Sequence, residues 1–120
     1  MTNMKTIMII DDEPRITEAF MLNFQYEEAF KVQAFNDGAE ALKQLNHTVP
    51  DLVVLDWRLQ GGIQGRDILR HLKERHPLIP VFVVTASIHF VEEIESFKPA
   101  ACLLKPCQDL KDRIIQALKD

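Results

Sequence analysis

Five short apolar runs, separated by segments with helical spacing, limit what this chain of 120 residues can fold into. The runs at residues 6–10, 52–55 and 81–84 are apolar at successive positions, as strands buried on both faces are. The run at residues 31–35 alternates polar and apolar side chains, which indicates an edge strand with one face partly in water. A fifth run, at residues 101–104, ends before Pro106, because proline cannot continue a hydrogen-bonded ladder.

The segments between these runs have the spacing of helices that begin near Pro14, Asp37, Gly65, Ser87 and Asp109. Strands that alternate with helices in this way predict an α/β fold with a parallel sheet. The order of elements is (βα)5, and right-handed crossovers then favour a doubly wound, flavodoxin-like sheet of five strands in the order 2-1-3-4-5.

The composition is 47% hydrophobic and 27% charged, which is typical of a globular domain with one core. The formal net charge is -4 and the basic residues are scattered, so we expect neither nucleic acid nor a membrane surface as a main partner. Cys102 and Cys107 lie five residues apart without a metal-ligand grouping, which indicates a reduced intracellular protein.

Polar residues follow four of the five runs. Asp11 and Asp12 follow the first, Asp56 the third, Thr85 the fourth and Lys105 the fifth. Open α/β sheets bind ligands at the carboxyl ends of their strands. Because strands 1, 3, 4 and 5 are neighbours in the predicted order, we expect these side chains to converge, and we expect the edge strand 2 to contribute nothing.

The residue types of this group favour phosphoryl chemistry. Three carboxylates held together raise one another's pKa and need compensating cations, whereas Lys105 supplies one positive charge. Oxygen ligands suit a hard divalent ion such as Mg2+, which takes several of its ligands from water or phosphate. An ammonium and a hydroxyl can bind phosphoryl oxygens, and a carboxylate can act as the nucleophile.

The chain resembles the response-regulator receiver domains of two-component signalling systems over essentially its whole length. The matching segments are IIDDEP at residues 9–14, PDLVVLD at 50–56, VVTA at 83–86 and LKP at 104–106. Each segment alone is weak, but four in this order and at these separations are highly specific.

The resemblance implies a role for each residue of the group. Asp56 accepts a phosphoryl group from the phosphohistidine of a histidine kinase or phosphotransfer protein. Asp12, Asp56 and the backbone carbonyl of Arg58 ligate Mg2+, and Asp11 acts mainly through metal-bound water. The implied protein is a switch that catalyses its own phosphorylation and slow dephosphorylation at Asp56, not a turnover enzyme.

The other implications concern switching, partners and location. Thr85 and Lys105 would bind the phosphoryl oxygens, and the fourth helix and fifth strand would then change the face presented to a downstream protein or output domain. The kinase is expected to dock on the first helix, around Arg15, Glu18 and Leu22. We expect one receiver domain over residues 1–120 and no output domain in this chain. We also expect a cytoplasmic location and no direct contact with nucleic acid or membrane. A homodimer is possible in this interpretation.

The segment after Asp56 departs from the family pattern. The proline usual four residues after the acceptor is Gln60 here, and the glycine usual at eight residues is Gln64, with Gly65 next. We therefore expect the loop from Arg58 to Gly65 to carry one extra residue and to take an altered path.

A second departure concerns the residue three positions before the lysine, where Cys102 replaces the aromatic switch residue of the family. A thiol cannot fill the volume of a tyrosine ring, so either Phe90 or Phe97 reports on Thr85, or this face switches differently. Trp57, next to the acceptor, is expected either to gate access to the pocket or to cover it.

Two other functions remain open at this point. The missing aromatic residue and the altered loop are compatible with an interaction scaffold that works without phosphate, although such a scaffold would not need the five pocket residues. A phosphatase with an aspartyl-phosphate intermediate typically has a second acid two residues after its nucleophile, where this chain has Arg58.

Overall fold

The computed structural model describes residues 4–119, so the two ends of the expected domain lie outside the described residues. One parallel sheet has the strand order 2-1-3-4-5, which confirms the predicted fold. The strands are β1 (Lys5–Ile10), β2 (Phe30–Phe35), β3 (Leu52–Asp56), β4 (Val81–Thr85) and β5 (Ala101–Leu104). The helices are α1 (Pro14–Phe24), α2 (Gly38–Leu45), α3 (Gly65–Arg75), α4 (Val91–Ser96) and α5 (Leu110–Ala117), and a 3-10 turn, Ile88–Phe90, precedes α4.

The two faces of the sheet carry separate apolar clusters. On one face, Phe20 and Phe24 of α1 and Ile114 of α5 pack on the sheet. On the other face, the buried side chains of α2, α3 and α4 cover it, among them Leu45 and Ile94. Both faces of the central strands are thus removed from water, which explains their continuous apolar sequences. β2 is only partly buried, as the alternating pattern predicts for an edge strand.

Strand alternation determines which face each site residue joins. Successive side chains of a strand point to opposite faces, so residues two apart share one. Ile9, Val54 and Leu103 belong to the cluster under α1 and α5. The residues two positions further on, which are Asp11, Asp56 and Lys105, therefore leave the sheet on that same side.

No helix within residues 4–119 combines the length and the apolarity that a bilayer crossing requires.

Gly65 lets α3 begin directly against the end of β3. A Cβ atom at this position would lie 2.6 Å from both the Asp56 and Trp57 carbonyl oxygens and 2.8 Å from the Trp57 Cα. These are backbone atoms that cannot rotate away. The glycine displaced by one residue from its usual family position therefore sits where the chain approaches itself most closely.

We expect Gly65→Ala to lower the free energy of unfolding by about 1–3 kcal/mol, because the added methyl overpacks a rigid backbone contact. Gly62→Ala is the matched control, since nothing lies within 4 Å of a Cβ atom there. This control should change stability by less than about 0.5 kcal/mol. Urea unfolding of the two variants measures the difference, and equal effects would contradict the close approach at Gly65.

Candidate functional site

Backbone hydrogen bonds beyond the regular strand pairing fix the residues at the carboxyl edge. The Asp11 amide donates to the Phe35 carbonyl at 3.0 Å, and the Trp57 amide donates to the Val84 carbonyl at 3.0 Å. The Lys105 amide donates to the Thr85 carbonyl at 2.8 Å. Each strand pair is thus prolonged to the residue next to the site, which holds the functional side chains on a rigid support.

Three carboxylates meet at this edge. Asp11, Asp12 and Asp56 each present an oxygen, and these oxygens lie within 4.8 Å of one another. Asp11 is 3% exposed and Asp56 is 8% exposed, whereas Asp12 is half-buried. The Lys105 Nζ lies 2.8 Å from the Asp11 Oδ2 and 3.4 Å from the Asp56 Oδ1. The single ammonium therefore bridges two of the three acids.

This arrangement leaves negative charge in excess at Asp56. Burial, followed by the charge of Asp11, raises the pKa of Asp56 from 3.8 to about 6, against the lowering effect of Lys105. Burial favours the neutral amine of Lys105, but its hydrogen bond to Asp11 and the charge of Asp56 outweigh this effect and raise the pKa of Lys105. At neutral pH the site thus holds an ionised Asp56 beside a protonated Lys105.

The donor set fits a hard divalent cation. Every side-chain ligand that the acidic group offers is a carboxylate oxygen, the ligand type that Mg2+ prefers. The raised pKa of Asp56 shows that the positive charge of Lys105 does not offset the nearby acids and the burial. An added cation at this place would stabilise the ionised carboxylates.

Thr85 lines a cavity of about 340 Å³ at this edge of the sheet. Asp12, Asp56, Arg58 and Lys105 also line it. The Thr85 hydroxyl accepts a hydrogen bond of 3.2 Å from the Ser87 amide, at the start of the segment that leads to α4. The structure therefore brings Asp12, Asp56, Arg58, Thr85 and Lys105 to one cavity, and Asp11 joins this group through its contact with Lys105.

The expectation that the edge strand contributes nothing is wrong. Asn36 directly follows β2, and its Nδ2 donates to the Asp11 carbonyl at 2.8 Å and to the Thr17 hydroxyl at 3.0 Å. The carboxylate of Asp11 also accepts from the Glu13 amide at 2.9 Å. Asn36 thus ties the turn after β1 to α1. A side-chain amide at a strand end was the only sequence signal for it.

Trp57 neither gates nor covers the pocket. Strand alternation turns it away from Asp56, and it is buried in the cluster beneath α3 and α4. Its Nε1 donates to the Glu93 Oε1 of α4 at 3.1 Å, and its ring centroid lies 5.8 Å from that of Phe97. Glu93 also pairs with Arg66 of α3. Trp57 therefore connects the end of β3 to α4.

Phe90 and Phe97, the aromatic residues considered as reporters on Thr85, pack against other side chains in the structure. The Arg58 guanidinium lies over the Phe90 ring, 5.4 Å from its centroid, and Phe97 packs against Trp57. Cys102 is partly buried against the cluster under α2, α3 and α4. Burial, reinforced by the charge of Glu95, raises the pKa of the Cys102 thiol.

The fold and the site together define a flavodoxin-like α/β domain with an acidic pocket at the carboxyl edge of its sheet. Residues 7–119 match the family model of the response regulator receiver domain, so this chain belongs to that family. Receiver domains are signalling domains of two-component systems, not turnover enzymes, and their general role is phosphorylation-dependent switching. The family binds Mg2+ at an acidic pocket, and its members interact with kinases and output domains.

Curated relatives are longer regulatory proteins. The chain is 36% identical over 73 residues to the luminescence regulatory protein LuxO of Vibrio campbellii, a match that covers 59% of this chain and 16% of LuxO. It is 33% identical over 81 residues to the probable transcriptional regulatory protein TcrX of Mycobacterium tuberculosis, covering 68% of this chain and 34% of TcrX. The chain thus spans about a third or less of the length of these relatives.

Solved structures of similar shape cover nearly the whole chain. The response regulator TrrA of Thermotoga maritima, in complex with Mg(2+)-BeF, has a TM-score of 0.84 and 28% identity, with 96% of this chain and 100% of that chain covered. A CheY-like receiver domain protein of Methanospirillum hungatei has a TM-score of 0.86 and 21% identity, with coverage of 96% and 94%. The second likeness supports the fold alone.

We expect Asp56→Asn to stabilise the metal-free domain, because folding holds the ionised carboxylate at a cost. The folded-state pKa is raised from 3.8 to about 6, so this cost is full above pH 6, shrinks between pH 6 and 3.8, and is absent below. The gain in unfolding free energy should be about 2 kcal/mol at pH 8 and should decrease toward pH 4.

Urea unfolding in EDTA at several pH values measures this gain. Asp112→Asn neutralises an exposed acid of α5 and is the control that should show no such dependence. A gain for Asp56→Asn that stays constant from pH 8 to pH 4 would contradict the raised pKa.

Proposed function

We propose that this domain is a phosphorylation switch in which Asp56 accepts the phosphoryl group of a phosphohistidine. The observation that carries the proposal is the state of this carboxylate. It is buried, it lies 3.4 Å from the Lys105 ammonium, and its pKa of about 6 leaves it ionised at neutral pH. Asp56 is thus a nucleophile whose charge is compensated only in part.

The transfer step conserves atoms and electrons. A carboxylate oxygen of Asp56 attacks phosphorus, the new O–P bond forms as the P–N bond to the donor imidazole breaks, and the imidazole leaves with that electron pair. The Lys105 ammonium stabilises the charge that develops on the phosphoryl oxygens. The product is an acyl phosphate on Asp56, and its later hydrolysis restores the carboxylate and releases inorganic phosphate.

The Mg2+ ligands in this proposal are Asp12, Asp56 and the backbone carbonyl of Arg58, with Asp11 acting through metal-bound water. When bound, the ion supplies charge neutralisation and holds one phosphoryl oxygen in place. Asp11 has a further task in this arrangement, because its 2.8 Å contact keeps the Lys105 ammonium above the acceptor.

The response to phosphorylation begins at Thr85. The Thr85 hydroxyl now donates to the Ser87 carbonyl at 3.4 Å, and the doubly charged group on the modified Asp56 offers it three stronger acceptor oxygens. A move of Thr85 toward that group would release the start of the segment that leads to α4. The equilibrium position of this helix is then biased by the charge at Asp56.

The partners follow from the same assignment. Arg15, Glu18 and Leu22 are all exposed on α1, which supports this helix as the docking surface for a histidine kinase or phosphotransfer protein. The α4 and β5 face would contact a downstream protein or an output domain. We assign one receiver domain to residues 1–120 and a cytoplasmic location, with no direct contact to nucleic acid.

Acetyl phosphate and Mg2+ should add one phosphoryl group to the peptide that contains Asp56, and EDTA should prevent the addition. Asp56→Asn should abolish labelling, because an amide is a far weaker nucleophile than a carboxylate. Asp51→Asn removes an acid at the opposite end of β3, whose carboxylate accepts from the Thr6 amide at 2.7 Å, and this control should remain labelled. Mass spectrometry locates the group, and a label elsewhere than Asp56 would refute the assignment.

A phosphate-independent scaffold is the alternative, favoured by Cys102 at the usual aromatic position. Trp57 separates the two functions, since it is the one tryptophan of the chain and contacts Glu93 and Phe97 near α4. Under the switch, Mg2+-dependent binding of beryllofluoride should change its fluorescence as α4 moves. Asp56→Asn should give no response, and binding to the unmodified chain without a fluorescence change would favour the scaffold.

A further inference from the structure

One side chain holds the loop of residues 58–64 in place. The Gln64 Oε1 accepts from the Leu59 amide at 3.2 Å, and the Gln64 Nε2 donates to the Gly61 carbonyl at 3.1 Å. The same residue is the N-cap of α3, where its backbone carbonyl accepts from the Asp67 amide at 3.0 Å and its amide donates to the Asp67 Oδ2 at 2.9 Å. Gln64 thus joins both arms of the loop to the first turn of the helix.

The loop that Gln64 holds lines the acidic cavity. Arg58, Leu59 and Gln60 line it together with Asp12 and Asp56. The Gln60 amide donates to the Asp12 Oδ2 at 3.0 Å, so the loop also orients one of the carboxylates. The path of this loop therefore affects both a side-chain ligand and the backbone that faces it.

Packing holds part of this loop, because Leu59 is buried in the cluster under α2, α3 and α4 and Ile63 packs against it, but packing does not hold the tip. Gly61 has a φ of 96°, and nothing lies within 4 Å of a Cβ atom built at Gly61 or Gly62. Two adjacent glycines leave the unfolded chain with many conformations to lose. Gln60 stands where a proline would restrict the backbone. The conformational restraint must therefore come from elsewhere, and the Gln64 amide is placed to supply it.

We propose that Gln64 is a positioning residue of the Mg2+ and phosphoryl site, which it supports by fixing residues 58–61 against Asp12. The proposal rests on the proposed function and deepens it. Loss of a hydrogen bond that orients a ligating group typically lowers metal affinity by about 10- to 100-fold. The role is distinct from capping α3, which the backbone groups of the same residue perform.

Two variants separate the two roles. Gln64→Ser keeps an N-cap oxygen for α3 but is too short to reach both Leu59 and Gly61. We expect it to unfold at nearly the wild-type urea concentration while its Mg2+ affinity falls about tenfold or more. Asp67→Ala removes the reciprocal capping bond and leaves the loop contacts in place. It should lower stability, yet keep Mg2+ affinity within about twofold of wild type.

Magnesium chloride titrations followed by amide NMR shifts measure the affinity without any phosphodonor. Wild-type Mg2+ affinity in Gln64→Ser, or an equal loss in Asp67→Ala, would overturn the proposal and leave Gln64 as a helix cap only. Failure of acetyl phosphate to label Asp56 would refute the proposed function while the Mg2+ titrations still test Gln64. A wild-type chain that binds no Mg2+ would overturn both.

Hydrogen exchange tests whether Gln64 holds the loop in the metal-free wild-type protein. The amides of Leu59 and Gln60 should exchange at least about tenfold more slowly than that of Gly62, because both have protein acceptors. In Gln64→Ser both should lose this protection, including Gln60, which Gln64 does not contact directly. Protection of Gln60 that survives the substitution would show that Asp12 holds the loop alone, and would overturn the proposal.

Discussion

The structure is organised around three clustered carboxylates at the edge of a buried sheet, two of which contact one ammonium. Burial and the charge of Asp11 raise the pKa of Asp56 in the folded state, so ionised Asp56 opposes folding. Two apolar clusters, one on each face of the sheet, must offset this cost. The same cluster of carboxylates fits a divalent cation, and in the proposed switch Asp56 is the group that gains the phosphoryl charge. Stability and function therefore draw on one electrostatic imbalance.

Sequence periodicity was sufficient to predict the strands, their order and the group of residues at their carboxyl ends. The reason is physical: continuous apolar runs can be satisfied only by strands buried on both faces, and alternation then sends Asp11, Asp56 and Lys105 to one side. The prediction failed where side chains bond to backbone across loops. Asn36 and Gln64 have no periodic pattern, and their partners depend on a backbone path that composition does not determine.

Trp57 illustrates the same limit from the opposite direction. Its place beside Asp56 in the sequence suggested a role at the pocket, but one step along a strand reverses the side chain to the other face. Asp56 and Trp57 are adjacent in sequence, but their side chains lie on opposite faces of the sheet and make different contacts. Asp56 faces the acidic cavity, whereas Trp57 is buried with Phe97 and bonds to Glu93.

This separation bears on how α4 can respond without the usual aromatic residue. Cys102 is smaller than the usual aromatic residue and packs against the cluster under α2, α3 and α4, so contact between Thr85 and α4 must depend on other groups. Glu93 accepts from the Trp57 indole and also pairs with Arg66. A displacement of α4 must either carry these partners with it or break a hydrogen bond in a partly buried setting, which costs about 1–3 kcal/mol. The link from Trp57 to Glu93 thus opposes movement of α4, and the charge gained at Asp56 must exceed that resistance for the domain to switch.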